Sequence, residues 1–218
     1  EAAKEKFSRI IEINPQFAPA LFYRGEIAFR DRDYNKAVEF FNKALEMDED
    51  IQGPRYRLAQ YALMNEQKEQ AKSFLIGEMK LALEDSVTLV SMGSMFLTIG
   101  DVGCATNCLL RAIDNNTTGA DAYYYLGLAS AMRGEFKEAS ELFSHALDIN
   151  SEHVPALRDS AYVYLVMSRF AEASTRIKIA RSISPEDAQI KSLDWRIRIA
   201  KTIGKIKIYF SRMLPKSH

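Results

Sequence analysis

The chain has 218 residues, 47% hydrophobic and 27% charged, and its 29 Lys/Arg balance 29 Asp/Glu to a net charge of zero. That composition is ordinary for a folded protein. The longest uncharged run, Ser86–Gly100, holds Gly93 and three serines and is too short and polar to span a membrane; no secretory pattern opens the chain.

From Ala18 onward the sequence keeps a 34-residue beat over 18–51, 52–85, 86–119, 120–153 and 154–187, without an insertion. Self-similarity at this period predicts stacked helical units rather than a globular enzyme core. Position 8 of each unit is small (Gly25, Ala59, Gly93, Gly127, Ala161), and so is position 20 (Ala37, Ala71, Ala105, Ala139, Ala173). Short side chains at both places let two helices approach closely, with bulkier neighbours filling the gaps.

In chain order, residues 1–17 carry Ala3, Phe7 and Ile10 at the spacing of a second helix and end in Asn14-Pro15. The opening Glu suggests a piece of a longer protein. Unit 18–51 predicts two antiparallel helices with a turn at Asp31–Asp33, and the later turns fall at Asn65–Glu66, Gly100-Asp101, Gly134-Glu135 and Ser168-Arg169. Unit 52–85 diverges most, with Arg55 at a large apolar position and Glu78 where Ala is usual. Either looser packing or a contact that needs Glu78 is expected there. In 86–119, Cys104 and Cys108 share one helix face, where they behave as small hydrophobes. The pair suggests a reducing compartment, and a cytoplasmic setting is favoured. His145 and His153 fall at the end of a second helix and in the next loop, where solvation is expected.

After Asp187 the register reads as lost, because position 8 becomes Trp195 and position 7 becomes Asp194. Trp195, Ile199, Ile203, Ile206, Phe210 and Met213 still recur at three and four, predicting a helix, with a break near Gly204, whose seam covers the last unit. Residues 188–218 hold eight Lys/Arg against Asp194 alone, a net +7, leaving −7 on the rest. A basic end on an acidic body can attract an acidic partner, a membrane surface or a second copy. The basic candidates for such contact are Arg198, Lys201, Lys205, Lys207 and Arg212.

The run Ala122-Tyr123…Leu126-Gly127…Gly134-Glu135-Phe136…Ala139…Phe143…Ala146-Leu147 resembles the tetratricopeptide repeat. The resemblance covers Ala18 to Asp187 plus the half unit 1–17. It implies an all-α, right-handed superhelical solenoid of antiparallel helix pairs, one continuous domain closed by a C-terminal capping helix. It also implies partner binding in a concave groove lined by the first helices, through positions 2, 5, 9, 12 and 13.

The implied groove residues include Phe22, Tyr56, Tyr124 and Arg158 at position 5, and Glu26, Gln60, Leu128 and Tyr162 at position 9. Arg30 joins them at position 13. With Phe29, Leu63, Leu97 and Leu165 at position 12, they read as an apolar and aromatic channel with few charges. The expected ligand is an apolar or amphipathic peptide or helix, and self-association into a homo-oligomer follows the same physics. The basic residues by which family co-chaperones hold a terminal carboxylate have no match here.

No phosphate loop, metal-ligand pattern or nucleophile–base pair is present. The chain therefore reads as a non-catalytic interaction scaffold without cofactor or metal, and nucleic acid is disfavoured as a partner. The alternative is a regulatory or membrane-docking segment of a larger enzyme or envelope-assembly protein, acting through the basic terminal helix.

Overall fold

The computed structural model describes residues 2–81, 85–115 and 119–213, with side chains between Glu5 and Ile203 in those spans. The described residues form twelve α-helices and no strand. Helix α1 (Ala2–Ile13) is followed by α2 (Ala18–Arg30), α3 (Tyr34–Met47), α4 (Pro54–Met64), α5 (Lys68–Met79) and α6 (Ser86–Ile99). Then come α7 (Val102–Asp114), α8 (Ala120–Met132), α9 (Phe136–Ile149), α10 (Val154–Val166), α11 (Phe170–Ile183) and α12 (Ala188–Met213).

Where the sequence suggests one continuous domain, the chain resolves into two compact units, Glu1–Asp101 and Val102–His218, divided between α6 and α7. Each is an all-α stack in which every helix packs on its neighbour in the chain. The first unit is centred on Ala37, Phe41 and Leu58. In the second, Phe143, Leu157, Ile177, Ile190 and Ile197 are fully enclosed.

The five turns inside the repeats share one backbone geometry. Position 15 is left-handed in all of them: Arg32 (φ 63°), Glu66 (60°), Gly100 (99°), Gly134 (81°) and Ser168 (59°). The amide of the next residue reaches back to the carbonyl at position 11, as in Asp33 to Ala28 and Glu135 to Ser130, both at 2.9 Å. This Schellman closure satisfies carbonyls that the helix end leaves open. It fixes the reversal that lays the second helix against the first.

Close approach sets the interior. The Ala residues at position 20 are all fully enclosed. A Cβ built on Gly127 would lie 2.7 Å from the Phe143 ring, and one on Gly25 would collide with Phe41. Position 24 carries Phe where position 8 is Gly25 or Gly127, Leu75 or Ile177 where position 8 is Ala59 or Ala161, and Leu109 where it is Gly93. In the units with Gly25 and Gly127, the Phe ring thus fills the space that a Cβ at position 8 would need.

In the divergent repeat the contact exists. Glu78 is enclosed, and its Oε1 accepts the Gly53 amide at 2.6 Å, where Gly53 (φ 106°) precedes α4. Its other oxygen has no hydrogen-bond partner. Burial pushes the Glu78 carboxyl above its ordinary range, against the opposing pull of the Gly53 amide and Arg55.

Helix α12 departs from expectation in three ways. It runs unbroken past Gly204 to Met213. The register also continues: Ile190, Asp194 and Ile197 at positions 3, 7 and 10 are buried, as are Ala122, Leu126 and Ala129, and Ala156, Ser160 and Val163. Finally, the expected seam points away from the stack, with Trp195 64%, Ile199 38% and Ile203 48% exposed. Ile206, Phe210 and Met213 lie outside the described side chains. Asp194 is tolerated inside because Arg181 and Arg198 both donate to it at 2.9 Å. At position 15 this phase has Thr202, whose β-branch disfavours the left-handed turn, and the helix continues through it.

Two outcomes follow. Gly127→Ala costs about 1–3 kcal/mol by overpacking, and adding Phe143→Leu recovers part of that loss. A double-mutant cycle in urea reads this coupling, and strictly additive losses would reject the shared volume. For Glu78, a folded-state pKa raised above the ordinary 4.5 means that its contribution to stability is full below that value and is lost as pH rises through the folded pKa. Urea midpoints from acid to neutral pH should show Glu78→Gln gaining on the parent as pH rises, whereas parallel profiles would contradict it.

Candidate protein-interaction site

In the first unit, a cleft of about 460 Å³ opens between Phe7 of α1, Tyr23, Glu26 and Arg30 of α2, and Arg57 of α4. Its wall is a charged network rather than the apolar channel expected. Arg57 donates from Nε and Nη2 to both Glu26 oxygens, at 2.5 and 2.7 Å, and from Nη1 to Gln60 Oε1 at 2.8 Å. Gln60 in turn donates to the Tyr56 hydroxyl at 2.9 Å. The guanidinium lies over the Phe29 and Tyr56 rings, 5.5 and 5.3 Å from their centroids. Burial works against the Arg57 charge, yet bonding to Glu26 leaves its pKa raised.

Glu26, Tyr56 and Gln60 are linked to one another through Arg57 and Gln60, and Glu26 and Arg30 line the cleft. Phe22 is turned inward, over the α-carbon of Gly53 and against the Phe41 ring at 5.9 Å. Tyr23, at position 6, is 49% exposed and stacks on Phe7 at 5.0 Å.

In the second unit a cleft of about 420 Å³ lies between Arg158, Asp159 and Tyr162 of α10 and Gln189, Ser192 and Arg196 of α12. Tyr124, expected to be open to a ligand, is only 7% exposed. Its hydroxyl donates to Asp159 Oδ2 at 3.0 Å, and burial and the Asp159 charge push its pKa up. A partner for that hydroxyl is what permits the burial.

Arg158 holds Asp159 through Nε at 2.7 Å and Nη2 at 3.0 Å, and Gln189 through Nη1 at 2.6 Å. Tyr162 is 44% exposed beneath the Arg196 guanidinium, 5.7 Å from its ring centroid. Leu128 is half-buried and packs on the core. Arg158 and Tyr162 are thus the predicted residues that face this cleft.

Nearby, His153 is not the solvated loop residue expected. Its Nδ1 accepts the Ala156 amide at 3.1 Å, capping α10, and its Nε2 pairs with Asp121 at 2.9 Å. Its ring lies 5.0 Å from that of Tyr124.

Sequence reasoning missed position 6, which supplies Tyr23, Arg57 and Asp159. It also missed Gln189, Ser192 and Arg196, which are positions 2, 5 and 9 of a sixth phase. The available signal was the beat itself, carried 34 residues further. Of the basic set, Arg198 is committed to Asp194 and Lys201 is exposed, while the side chains of Lys205, Lys207 and Arg212 lie outside the described residues. Cys108 is buried, which pushes its thiol up to about 11. Among the described residues no three His, Cys, Asp or Glu side chains are grouped to hold a metal, and no helix is long and apolar enough to cross a membrane.

Family profiles described as tetratricopeptide repeat match residues 18–51, 92–153 and 130–194, together more than half of the chain. A TPR repeat-containing protein of Methanocaldococcus jannaschii is 24% identical over 130 residues, 60% of this chain, and the match spans only 23% of that relative. Among solved structures, YrrB, described as a TPR protein with an unusual peptide-binding site, aligns with a TM-score of 0.76 at 20% identity over 87% of this chain and 97% of its own. MamA aligns at 0.68 and 23% over 79% and 94%. The Cut9–Hcn1 hetero-tetramer of the APC/C aligns at 0.68 and 19% over 89% of this chain and 38% of the matched one. These likenesses carry the fold. With its in-phase helix pairs and the three profile matches, the chain belongs to the tetratricopeptide-repeat family and is a protein–protein interaction scaffold.

Proposed function

We propose that the scaffold captures a peptide or helical segment of a partner protein in the first-helix clefts. The residues used are Tyr23, Arg30 and the Glu26–Arg57 pair in the first unit, and Tyr162, Arg158 and Arg196 in the second. The observation that carries this reading is the Tyr162–Arg196 pair. An aromatic ring left 44% exposed stands beside a guanidinium that has no carboxylate partner among the described residues. Tyr and Arg are the side chains that dominate binding energy at protein interfaces.

The surrounding network supports it. Glu26–Arg57–Gln60–Tyr56 and Tyr124–Asp159–Arg158–Gln189 hold the walls in place before a ligand arrives. Pre-ordered side chains reduce the entropy lost on binding. The preferred ligand therefore combines an apolar or aromatic side chain with an acidic one, rather than being uniformly apolar. The peptide site described for YrrB is consistent with this use of the fold, and repeats of this family are generally non-catalytic.

Peptides selected from a random library on the chain test the proposal. They should be enriched in paired acidic and aromatic residues, and Tyr162→Ala or Arg196→Ala should each weaken them about tenfold in calorimetry with unchanged circular dichroism. Selected peptides that bind both variants as tightly as the parent would overturn the second-unit site.

A further inference from the structure

The outward ridge of α12 is unlike the rest of the surface. Trp195, Ile199 and Ile203 recur every four residues and are 64%, 38% and 48% exposed, on the face opposite the buried Ile190, Leu193 and Ile197. The first helices of the repeats bury two stripes, as α10 does through Ala156, Ser160 and Val163 and through Leu157, Ala161 and Tyr164, whereas α12 leaves its second stripe exposed. Cations flank it. Arg196 lies on one side. On the other, Arg181 and Arg198 share the single carboxylate of Asp194, leaving one positive charge.

Asp194 is the only acid in 188–218, and it is buried. The segment carries a net +7 while the remainder carries −7, so the excess of positive charge that can attract an anionic surface is concentrated here.

We propose that this ridge docks the protein on an anionic lipid surface, with Trp195, Ile199 and Ile203 entering the headgroup–acyl boundary and Arg196 and Arg198 reaching lipid phosphates. The chemistry matches an interfacial helix, with Trp and aliphatic side chains along one line and cations beside it. A lipid surface is favoured over the same ridge of a second copy by charge, because two such ridges would bring the cations of 188–218 face to face. The proposal shares Arg196 with the second-unit cleft and otherwise does not use that cleft, since Tyr162 and Arg158 take no part in it.

The chain contains one tryptophan, and it is Trp195, so its own fluorescence reports the contact. Vesicles of phosphatidylcholine with phosphatidylserine at low salt should shift its emission to the blue and float the protein. Vesicles of phosphatidylcholine alone should do neither, and high salt should reverse both effects. Ile199→Ser with Ile203→Ser should abolish the shift while circular dichroism is retained. Tyr162→Ala should bind vesicles as the parent does. Absence of a shift at low salt would overturn the proposal. So would an equal blue shift on raising protein concentration without lipid, with a dimer seen by light scattering, because the ridge would then be a contact between copies.

Discussion

The fold depends on how closely the two helices of a repeat can meet. That distance is set by positions 8 and 20, where nothing larger than Ala occurs in any of the five units. The Ala side chains at position 20 are sealed completely, so the interior at these points has no slack to absorb an extra methyl group. Everything on the outer faces inherits this spacing. Once the backbones are held together and the turn is locked left-handed at position 15, side chains at positions 5, 6 and 9 stand in fixed relation to those of the next first helix within a unit.

Polar links then tie neighbouring repeats side by side. Glu26 to Arg57, Tyr124 to Asp159, Asp121 to His153 and Arg158 to Gln189 each join residues about one repeat apart. Because they are partly exposed, the ion pairs contribute on the order of 1 kcal/mol or less each to stability. Their larger effect is geometric, since a bidentate Arg–carboxylate bond fixes orientation as well as distance. The clefts are accordingly walled by side chains that have already given up their rotational freedom. Stability and recognition use the same residues for different ends.

Much of this was legible in the sequence. The turns, the small positions and the helix boundaries follow from periodicity, because each repeat imposes the same sterics at the same phase. Tyr124 was misplaced because its burial depends on Asp159, 35 residues on, a pairing that no local pattern shows. His153 acts as a cap through a ring nitrogen, which residue type alone does not announce. Helix α12 misled for another reason. Its two faces are almost equally apolar, and the buried one contains a carboxylate neutralised by Arg181 and Arg198. Hydrophobic spacing pointed to the face carrying Trp195, whereas the phase of the repeat pointed to the face that packs.

The matched volumes at positions 8 and 24 also bear on how such a chain can change length. A recombination crossover in the linker between repeats transfers Gly127 together with Phe143, or Ala161 together with Ile177, and the transplanted hairpin arrives self-consistent. A crossover at the left-handed turn would splice Phe143 opposite Ala59 or Ala161, a collision, whereas Leu75 opposite glycine repeats the pairing already present in Gly93 and Leu109. Duplication and loss by whole hairpins therefore keep these pairs matched, and exchange by half-hairpins that sets Phe opposite alanine does not.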